Sequence, residues 1–197
     1  MTDYLSAAAA LLVFAVLGLT FARRPFAFVD HLGSLWSGTA LPLAIVFTRS
    51  GYTRQLTIVA ILLVLATIAE RAPLAMPAVL IAFQLLSQAM ANAAKRFVAR
   101  LRPEVWHFRE ELGFAYPSGH AVTGIVFYVG WATLVVHWPM FAGVQALVFS
   151  IAFLWALGIG WSRIALGAHR LTDVLGGYAL GAAWLFVFVA LQQIAVR

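Results

Sequence analysis

The sequence is divided into apolar runs that recur at about the length needed to cross a lipid bilayer. A helix rises about 1.5 Å per residue, so about 20 apolar residues span the hydrocarbon layer. Helices satisfy their own backbone amides in that water-free layer. The pattern therefore predicts an all-α membrane protein, a bundle of about six transmembrane helices. The six runs lie at about residues 4–22, 53–70, 74–97, 119–138, 140–161 and 171–194.

Composition and charge narrow the function classes. The 197 residues are 63% hydrophobic and only 10% charged, which is far from the composition of a soluble domain, and the length suits a single domain over 1–197. The net charge of +6 comes without a basic run or basic helix, so we expect no nucleic-acid partner and favour anionic lipid or phosphate. Cysteine is absent, which excludes disulfides and cysteine metal sites.

The region 24–52 between the first two runs is harder to interpret. It carries Asp30, His31 and Pro42 and is too polar at one end for a clean span. We expect an interfacial helix followed by a short re-entrant or partial helix.

A basic cluster, KRFVARLRP from Lys95 to Pro103, ends the third run. Lys95 and Arg102 are seven residues apart, close to two helical turns, so both project from one face if the helix continues to Pro103. Pro103 marks a helix boundary. Cations at a helix end are also favoured by the helix dipole and by lipid headgroups, which explains this cluster taken alone.

The stretch FAYPSGHAVTG places Pro117–His120 at the start of the fourth run. A helix start has free amides and a positive dipole end, which together form an anion site. Gly119 lets an oxyanion approach the backbone, Ser118 can cap the helix or donate to the anion, and His120 would point at the bound group. An ordinary helix start with an incidental histidine explains the motif equally well by itself.

A third cluster, SRIALGAHRLTD, runs from Ser162 to Asp173. His169 and Asp173 are four residues apart, so on a helix they share a face and the carboxylate can accept a hydrogen bond from the imidazole. That bond would fix the tautomer and leave the other ring nitrogen free as a nucleophile or base. Arg163 could fold back over the same place. A solvated interfacial loop is the competing interpretation.

Counting membrane crossings places the three clusters on one side of the membrane. The cations and helix-start amides would bind a tetrahedral oxyanion, and the His–Asp pair would supply the chemistry. This combination fits phosphoryl transfer through a covalent histidine intermediate without a metal. The residues alone do not decide which histidine is the nucleophile.

The motifs K-x6-R-P at Lys95–Pro103, P-S-G-H at Pro117–His120 and S-R-x5-H-x3-D at Ser162–Asp173 together resemble the signature of the type 2 phosphatidic acid phosphatase superfamily. Every signature position is filled, in order, over the 79 residues 95–173. Residues 1–94 carry no motif, and there the resemblance is one of span pattern only.

The resemblance implies a role for each signature residue. His169 would attack phosphorus to form a phosphohistidine, Asp173 would orient and polarise it, and His120 would protonate the leaving oxygen and then activate water. No metal and no cofactor is implied. The phosphate oxygens would be held by Lys95, Arg102, Ser118, Gly119 and Arg163.

The resulting hypothesis is a membrane lipid phosphatase acting on a phosphomonoester or diphosphate of a lipid or polyprenyl tail. Phosphatidate, phosphatidylglycerol phosphate, polyprenyl diphosphate and phosphorylated glycolipids all remain candidate substrates. A vanadium-dependent haloperoxidase would share the oxyanion pocket, but the known members are soluble. An anion transporter would use the same cations and leave the His–Asp pair unexplained.

Two indications of which side of the membrane the three clusters face disagree with each other. The resemblance implies the periplasmic face of a bacterial inner membrane, with both chain termini in the cytoplasm. The positive-inside rule would instead place the cluster side in the cytoplasm, because seven arginines outside the signature fall there. These are Arg23, Arg24, Arg49, Arg54, Arg96, Arg100 and Arg109. The expected partners are the lipid phosphate and the membrane, and the oligomeric state is left open.

Gly177 and Gly181, four residues apart on the last run, are predicted to form a close-packing surface for a neighbouring helix.

Overall fold

A computed structural model describes residues 2–21, 27–105, 107–138 and 141–195. These residues form helices and connecting loops, with no strand among them. The helices are α1 (Thr2–Phe21), α2 (Ala27–Ser34), α3 (Leu41–Ser50), α4 (Thr53–Ala69), α5 (Ala75–Val98), α6 (Gly119–Thr123), α7 (Gly130–Val135), α8 (Ala142–Ala165) and α9 (Leu171–Ala195), and a π-helical segment (Gly124–Val129) joins α6 to α7.

Each predicted apolar run corresponds to a helix, which confirms the all-α membrane fold. Helices α5, α8 and α9 are long and apolar enough to cross a bilayer on their own. Helices α3 and α4 meet at a bend of 59° and qualify together as one broken span or a re-entrant element. Two further apolar helical stretches, Tyr4–Thr20 and Gly119–Val135, are shorter.

The difficult region 24–52 forms two short helices where it is described, and their position relative to the membrane stays an expectation. Helix α2 is short, and α3 leads through Gly51 and Tyr52 into the bend with α4. A Cβ atom at position 51 would lie 2.6 Å from Cδ2 of His120. The glycine therefore lets the bend between α3 and α4 pack directly against the start of α6.

Helix α9 is the central element of the bundle and packs against α1, α5, α6 and the π-helical segment. A Cβ atom at Gly177 would lie 2.5 Å from the Ser118 carbonyl oxygen, and one at Gly181 would lie 2.9 Å from Cβ of Ile125. The predicted close-packing surface is therefore confirmed. Its buried surroundings include Val122, Val126, Leu180 and Phe188.

Two helix ends differ from the sequence-based expectation. Helix α5 ends at Val98 because Ala99 adopts the left-handed conformation (φ 51°), so Arg102 lies in a loop and not two turns along the helix from Lys95. Helix α8 ends at Ala165, and Gly167 (φ +73°) turns the chain before α9 begins. His169 therefore precedes α9, so the helix on which the pairing with Asp173 was expected does not include it, although Nδ1 of His169 still lies 3.7 Å from Oδ2 of Asp173.

Candidate active site

The cations of the first and third motifs meet at one end of the bundle. Lys95 lies in the last turn of α5, Arg102 in the loop that follows, and Arg163 in the last turn of α8. All three line one cavity of about 850 Å³, together with His120 and His169. Loops and helix ends thus bring together residues that are up to 74 positions apart in the sequence.

The two ring nitrogens of His169 have different neighbours. Nε2 lies 3.1 Å from a guanidinium nitrogen of Arg102, which can only donate, so Nε2 must accept. The ring proton then sits on Nδ1, which lies 3.7 Å from Oδ2 of Asp173. This distance is longer than a hydrogen bond, so the carboxylate acts on the ring mainly through its charge. The lone pair of Nε2 therefore accepts from Arg102, which lines the cavity together with His169.

The protonation state of His169 follows from its burial. Burial lowers the pKa of the imidazole from 6.5 to about 4, because it outweighs the raising effect of the Asp173 carboxylate, and the Arg102 and Arg163 charges lower it further. The ring is therefore neutral at pH 7. A neutral imidazole is the form that can attack phosphorus.

His120 lies in the first turn of α6 and faces the same cavity. Its ring packs edge-on against Tyr52, with ring centroids 5.1 Å apart. The Nε2 atom is buried and has no hydrogen-bond partner among the residues that the structure describes. A buried polar atom in this position is available to a bound group.

The start of α6 has the properties expected of an anion site. Ser118 occupies the cap position, but its side chain makes no capping hydrogen bond, and its buried hydroxyl has no partner in the described part of the chain. The Ser118 amide donates to the Asp173 carbonyl oxygen at 2.9 Å, which ties this turn to α9. A Cβ atom at Gly119 would lie 3.6 Å from Nζ of Lys95, so the glycine keeps the space beside this cation open.

Arg163 is almost fully buried and is held from two sides. One guanidinium nitrogen donates to Oγ1 of Thr48 at 2.5 Å, and another lies 2.8 Å from Oε1 of Glu111. Burial opposes ionisation of Glu111, but the charge and hydrogen bond of Arg163, with help from Arg109, keep the pKa of this carboxyl below its usual value. Glu111 therefore stays ionised and fixes Arg163 in the cavity wall.

Sequence reasoning missed a buried charge chain behind Asp173. Arg100 lies 2.6 Å from Oδ1 of Asp173 and 2.6 Å from Oδ2 of Asp30, and both contacts are shielded from solvent. Thr172 joins them, since its hydroxyl donates to Asp30 at 2.7 Å. The signal was present in the sequence as an aspartate in an otherwise apolar segment, but nothing in the spacing connects position 30 to position 173.

The assembled groups are of the kind that binding and transfer of a phosphoryl group require. Three cations and the amides of a helix start surround a cavity, and a neutral histidine supported by a carboxylate opens onto it. A second histidine lies within the same cavity and can exchange protons. Among the described residues, no group of three or more His, Cys, Asp or Glu side chains is arranged to hold a metal ion.

Comparisons with known proteins place this site in a family context. The family model described as the PAP2 superfamily matches residues 72–197. A phosphatidylglycerophosphatase B of Bacillus subtilis (strain 168) is 37% identical over 94 residues, which cover 47% of this chain and 46% of the relative. The phosphatidylglycerophosphatase B of Escherichia coli (strain K12) is 37% identical over 86 residues, covering 43% of this chain and 30% of the relative. A lipid A 1-phosphatase of Rhizobium johnstonii is 31% identical over 113 residues, covering 52% and 41%.

The chain thus matches less than half the length of these curated relatives. The fold also matches a solved structure over nearly its full length. A crystal structure of a transmembrane PAP2-type phosphatidylglycerolphosphate phosphatase from Bacillus subtilis aligns with a TM-score of 0.86 at 22% identity, covering 96% of each chain. At this identity the likeness shows the fold alone.

Proposed function

Because the chain belongs to the PAP2 superfamily, we propose that it is an integral membrane lipid phosphatase that acts through a phosphohistidine on His169 without a metal. The observation that carries the proposal is the orientation of His169, whose unprotonated Nε2 meets Arg102 in the cavity while Asp173 lies on the Nδ1 side. The substrate is a phosphomonoester or diphosphate of a lipid or polyprenyl tail. The whole chain, 1–197, would act as one catalytic domain.

In the first step, Nε2 of His169 attacks phosphorus and the bond from phosphorus to the leaving oxygen breaks. In the substrate complex the negative charge of the bound phosphate holds His120 in its protonated form, and this imidazolium gives its proton to that oxygen, so the lipid leaves as an alcohol or, from a diphosphate, as a lipid monophosphate. The imidazole gains positive charge as the P–N bond forms, and the Asp173 carboxylate stabilises it. Lys95, Arg102 and Arg163 neutralise the phosphate oxygens, and Ser118 and the Gly119 amide donate to them.

In the second step, His120 takes a proton from a water molecule, which attacks phosphorus on the side that the alcohol left. The P–N bond breaks, its electron pair returns to Nε2, and inorganic phosphate is released. His120 is protonated again, so both histidines return to their starting states.

The shape of the cavity suits a lipid substrate. We call the end of the cavity that contains the two histidines and the three cations the catalytic end. From there the cavity continues as a groove between α4 and α5, with walls that include Leu56, Leu80 and Phe127. A phosphate headgroup at the polar mouth would leave its hydrocarbon tail beside these apolar walls and the surrounding lipid.

The proposal is tested by phosphate release from purified protein in detergent with EDTA, comparing wild type with His169→Ala across phosphatidate, phosphatidylglycerol phosphate, polyprenyl diphosphate and a phosphorylated glycolipid. We expect wild type to release phosphate from at least one lipid and the variant to lose the activity by at least 1,000-fold, about the effect of removing a nucleophile. Release that survives in His169→Ala would contradict the proposal.

An anion transporter is the competing function of another class. It would use the three cations for binding, so His169→Ala should spare transport in proportion to binding. Folded wild-type protein that binds phosphate and hydrolyses no lipid would favour it.

A further inference from the structure

The groove between α4 and α5 changes character with depth. Its described charged or histidine side chains all belong to the catalytic end: Lys95, Arg102, Glu111, His120, Arg163 and His169. Beyond them the described wall carries no charge and is mostly apolar. A second anionic group at this depth would therefore find no cation to balance it.

Among the uncharged polar side chains of this wall, three hydrogen-bond to one another, and we call them the amide stripe: Gln84, Gln88 and Thr123. The wall also includes Tyr52, Thr53, Thr57, Asn92 and Trp131. Gln84 and Gln88 are one helical turn apart on α5 and both donate to Oγ1 of Thr123, at 3.0 and 2.8 Å. Gln88 also donates to the carbonyl oxygen of Gly119 at 3.0 Å. The stripe is therefore joined directly to the turn that would hold the phosphate.

One side-chain atom of the amide stripe is left unpaired within the part of the chain that the structure describes. Oε1 of Gln84 is buried and has no hydrogen-bond partner among the described residues. If the amide is turned over, Oε1 accepts from Thr123 and the amide nitrogen becomes the unpaired group. In either orientation Gln84 keeps one polar atom for something that enters the groove, and leaving it unpaired is unfavourable.

The position of the stripe indicates which part of a lipid it meets. Thr123 follows His120 by three residues, about 4.5 Å along the helix axis. In a glycerol phosphomonoester, the oxygen on the middle carbon of the glycerol is four bonds from phosphorus and reaches about this depth. In a polyprenyl diphosphate, an anionic phosphate or bare hydrocarbon would occupy the same place. The neutral amides of the stripe can hydrogen-bond to this glycerol oxygen, whether it is a hydroxyl oxygen or an ester oxygen.

We propose that the amide stripe is a subsite for the glycerol unit next to the reacting phosphate, so that the substrate is a lipid glycerol phosphomonoester and not a polyprenyl diphosphate. This inference rests on the proposed phosphatase function and adds its substrate class. Sites that hydrogen-bond a substrate oxygen reject analogues that lack it, because their own polar groups are then left unpaired.

The test compares kcat/KM for dioctanoyl phosphatidate and for farnesyl diphosphate in one detergent. The variants are Gln84→Met, which keeps the side-chain length, and Thr123→Val, which removes the shared hydroxyl. Gln145→Leu is the matched control, because the Gln145 amide donates to the carbonyl oxygen of Val136, just after α7, and Gln145 does not line the groove.

We expect wild type to prefer phosphatidate, and Gln84→Met to lose about fivefold to tenfold in kcat/KM on phosphatidate while farnesyl diphosphate changes less than twofold. Thr123→Val should shift the preference in the same direction, and inhibition by inorganic phosphate should stay constant in both variants. Equal losses on both substrates, or no loss on either, would overturn the subsite while leaving the phosphatase function intact. Wild type that hydrolyses neither substrate nor any other lipid phosphate would overturn both proposals.

Discussion

At the scale of single residues, the signature predicted which side chains meet but not what supports them. Lys95, Arg102, His120, Arg163 and His169 line one cavity, as the spacing and the resemblance led us to expect. The supporting contacts of Asp30 and Thr48 come from α2 and α3, in the part of the chain without a motif. Such long-range pairs leave no periodic trace in one sequence, so only the folded chain reveals them.

The charge chain behind Asp173 leads to a first prediction. Asp30 shares the positive charge of Arg100 with Asp173, so Asp30→Asn would leave Asp173 alone to balance that cation. Less negative charge would then remain to stabilise the imidazolium that forms on His169. We expect kcat to fall about tenfold with KM nearly unchanged, equal to about 1.4 kcal/mol in the barrier.

Glu70→Gln is the matched control for Asp30→Asn, because Glu70 is exposed and caps the far end of α4. Kinetics and a thermal unfolding curve on both variants separate catalysis from folding. If Asp30→Asn kept the wild-type kcat, the charge chain from Asp30 through Arg100 to Asp173 would not act on His169.

Burial of His169 leads to a second prediction, on pH. The folded-state pKa of about 4 lies below the ordinary 6.5, so the folded chain binds this proton less readily than the unfolded chain. The stabilising contribution of the neutral ring is complete above about pH 6.5 and is lost as the pH falls towards 4. NMR of histidine-labelled protein, with the signal assigned by His169→Gln, should give a midpoint near 4. A midpoint near 6.5 would contradict the burial of this ring.

At the scale of helices, hydrophobic run length predicted the elements well and their ends less well. The apolar runs located α1, α4, α5, α8 and α9 because about 20 such residues are stable in lipid mainly as helix. Pro103 predicts a later end for α5 than the structure has, because Ala99 leaves the helix first. Alanine favours helix, so its left-handed conformation is imposed by tertiary contacts and not by local propensity.

The close approach of α9 to α6 gives a third prediction. In Gly177→Ala the new methyl group would lie 2.5 Å from the Ser118 carbonyl oxygen, a backbone atom that cannot move without shifting Ser118 and His120. We expect a loss of about 1–3 kcal/mol in stability, as for other overpacked sites, and at least tenfold lower activity.

Gly143→Ala serves as the control for Gly177→Ala, because a Cβ atom at position 143 in α8 has no neighbour within 4 Å. Thermal unfolding in detergent and phosphate release measure the two effects. Equal behaviour of the two variants would show that α9 does not press on the catalytic turn.

At the scale of the whole molecule, the structure bears on the conflict over orientation. Arg100 is buried between two carboxylates, Arg109 stacks on the Tyr52 ring at 4.5 Å, and Arg49 lies 5.8 Å from the Phe108 ring centre. Because these arginines have structural partners at the catalytic end, the number of arginines there says less about which end of the molecule faces the cytoplasm. Arg23 and Arg24 lie outside the described residues.

The fourth prediction concerns that orientation. We expect the catalytic end to face the periplasm in a bacterial inner membrane, which places the end of α9 in the cytoplasm. A fluorescent protein fused to the C-terminus, which fluoresces only when it folds in the cytoplasm, should be bright, and an alkaline phosphatase fusion at the same point should be inactive. The opposite pair of results would place the catalytic end in the cytoplasm.

If His169 carries the phosphoryl group during turnover, rapid-quench trapping with a ³²P-labelled lipid phosphate should capture it on the protein. We predict a protein-bound phosphate that is stable to base and labile to acid, that maps to the peptide containing His169, and that decays at a rate no slower than kcat. A labelled intermediate on any other residue, or full turnover by His169→Ala, would contradict the account.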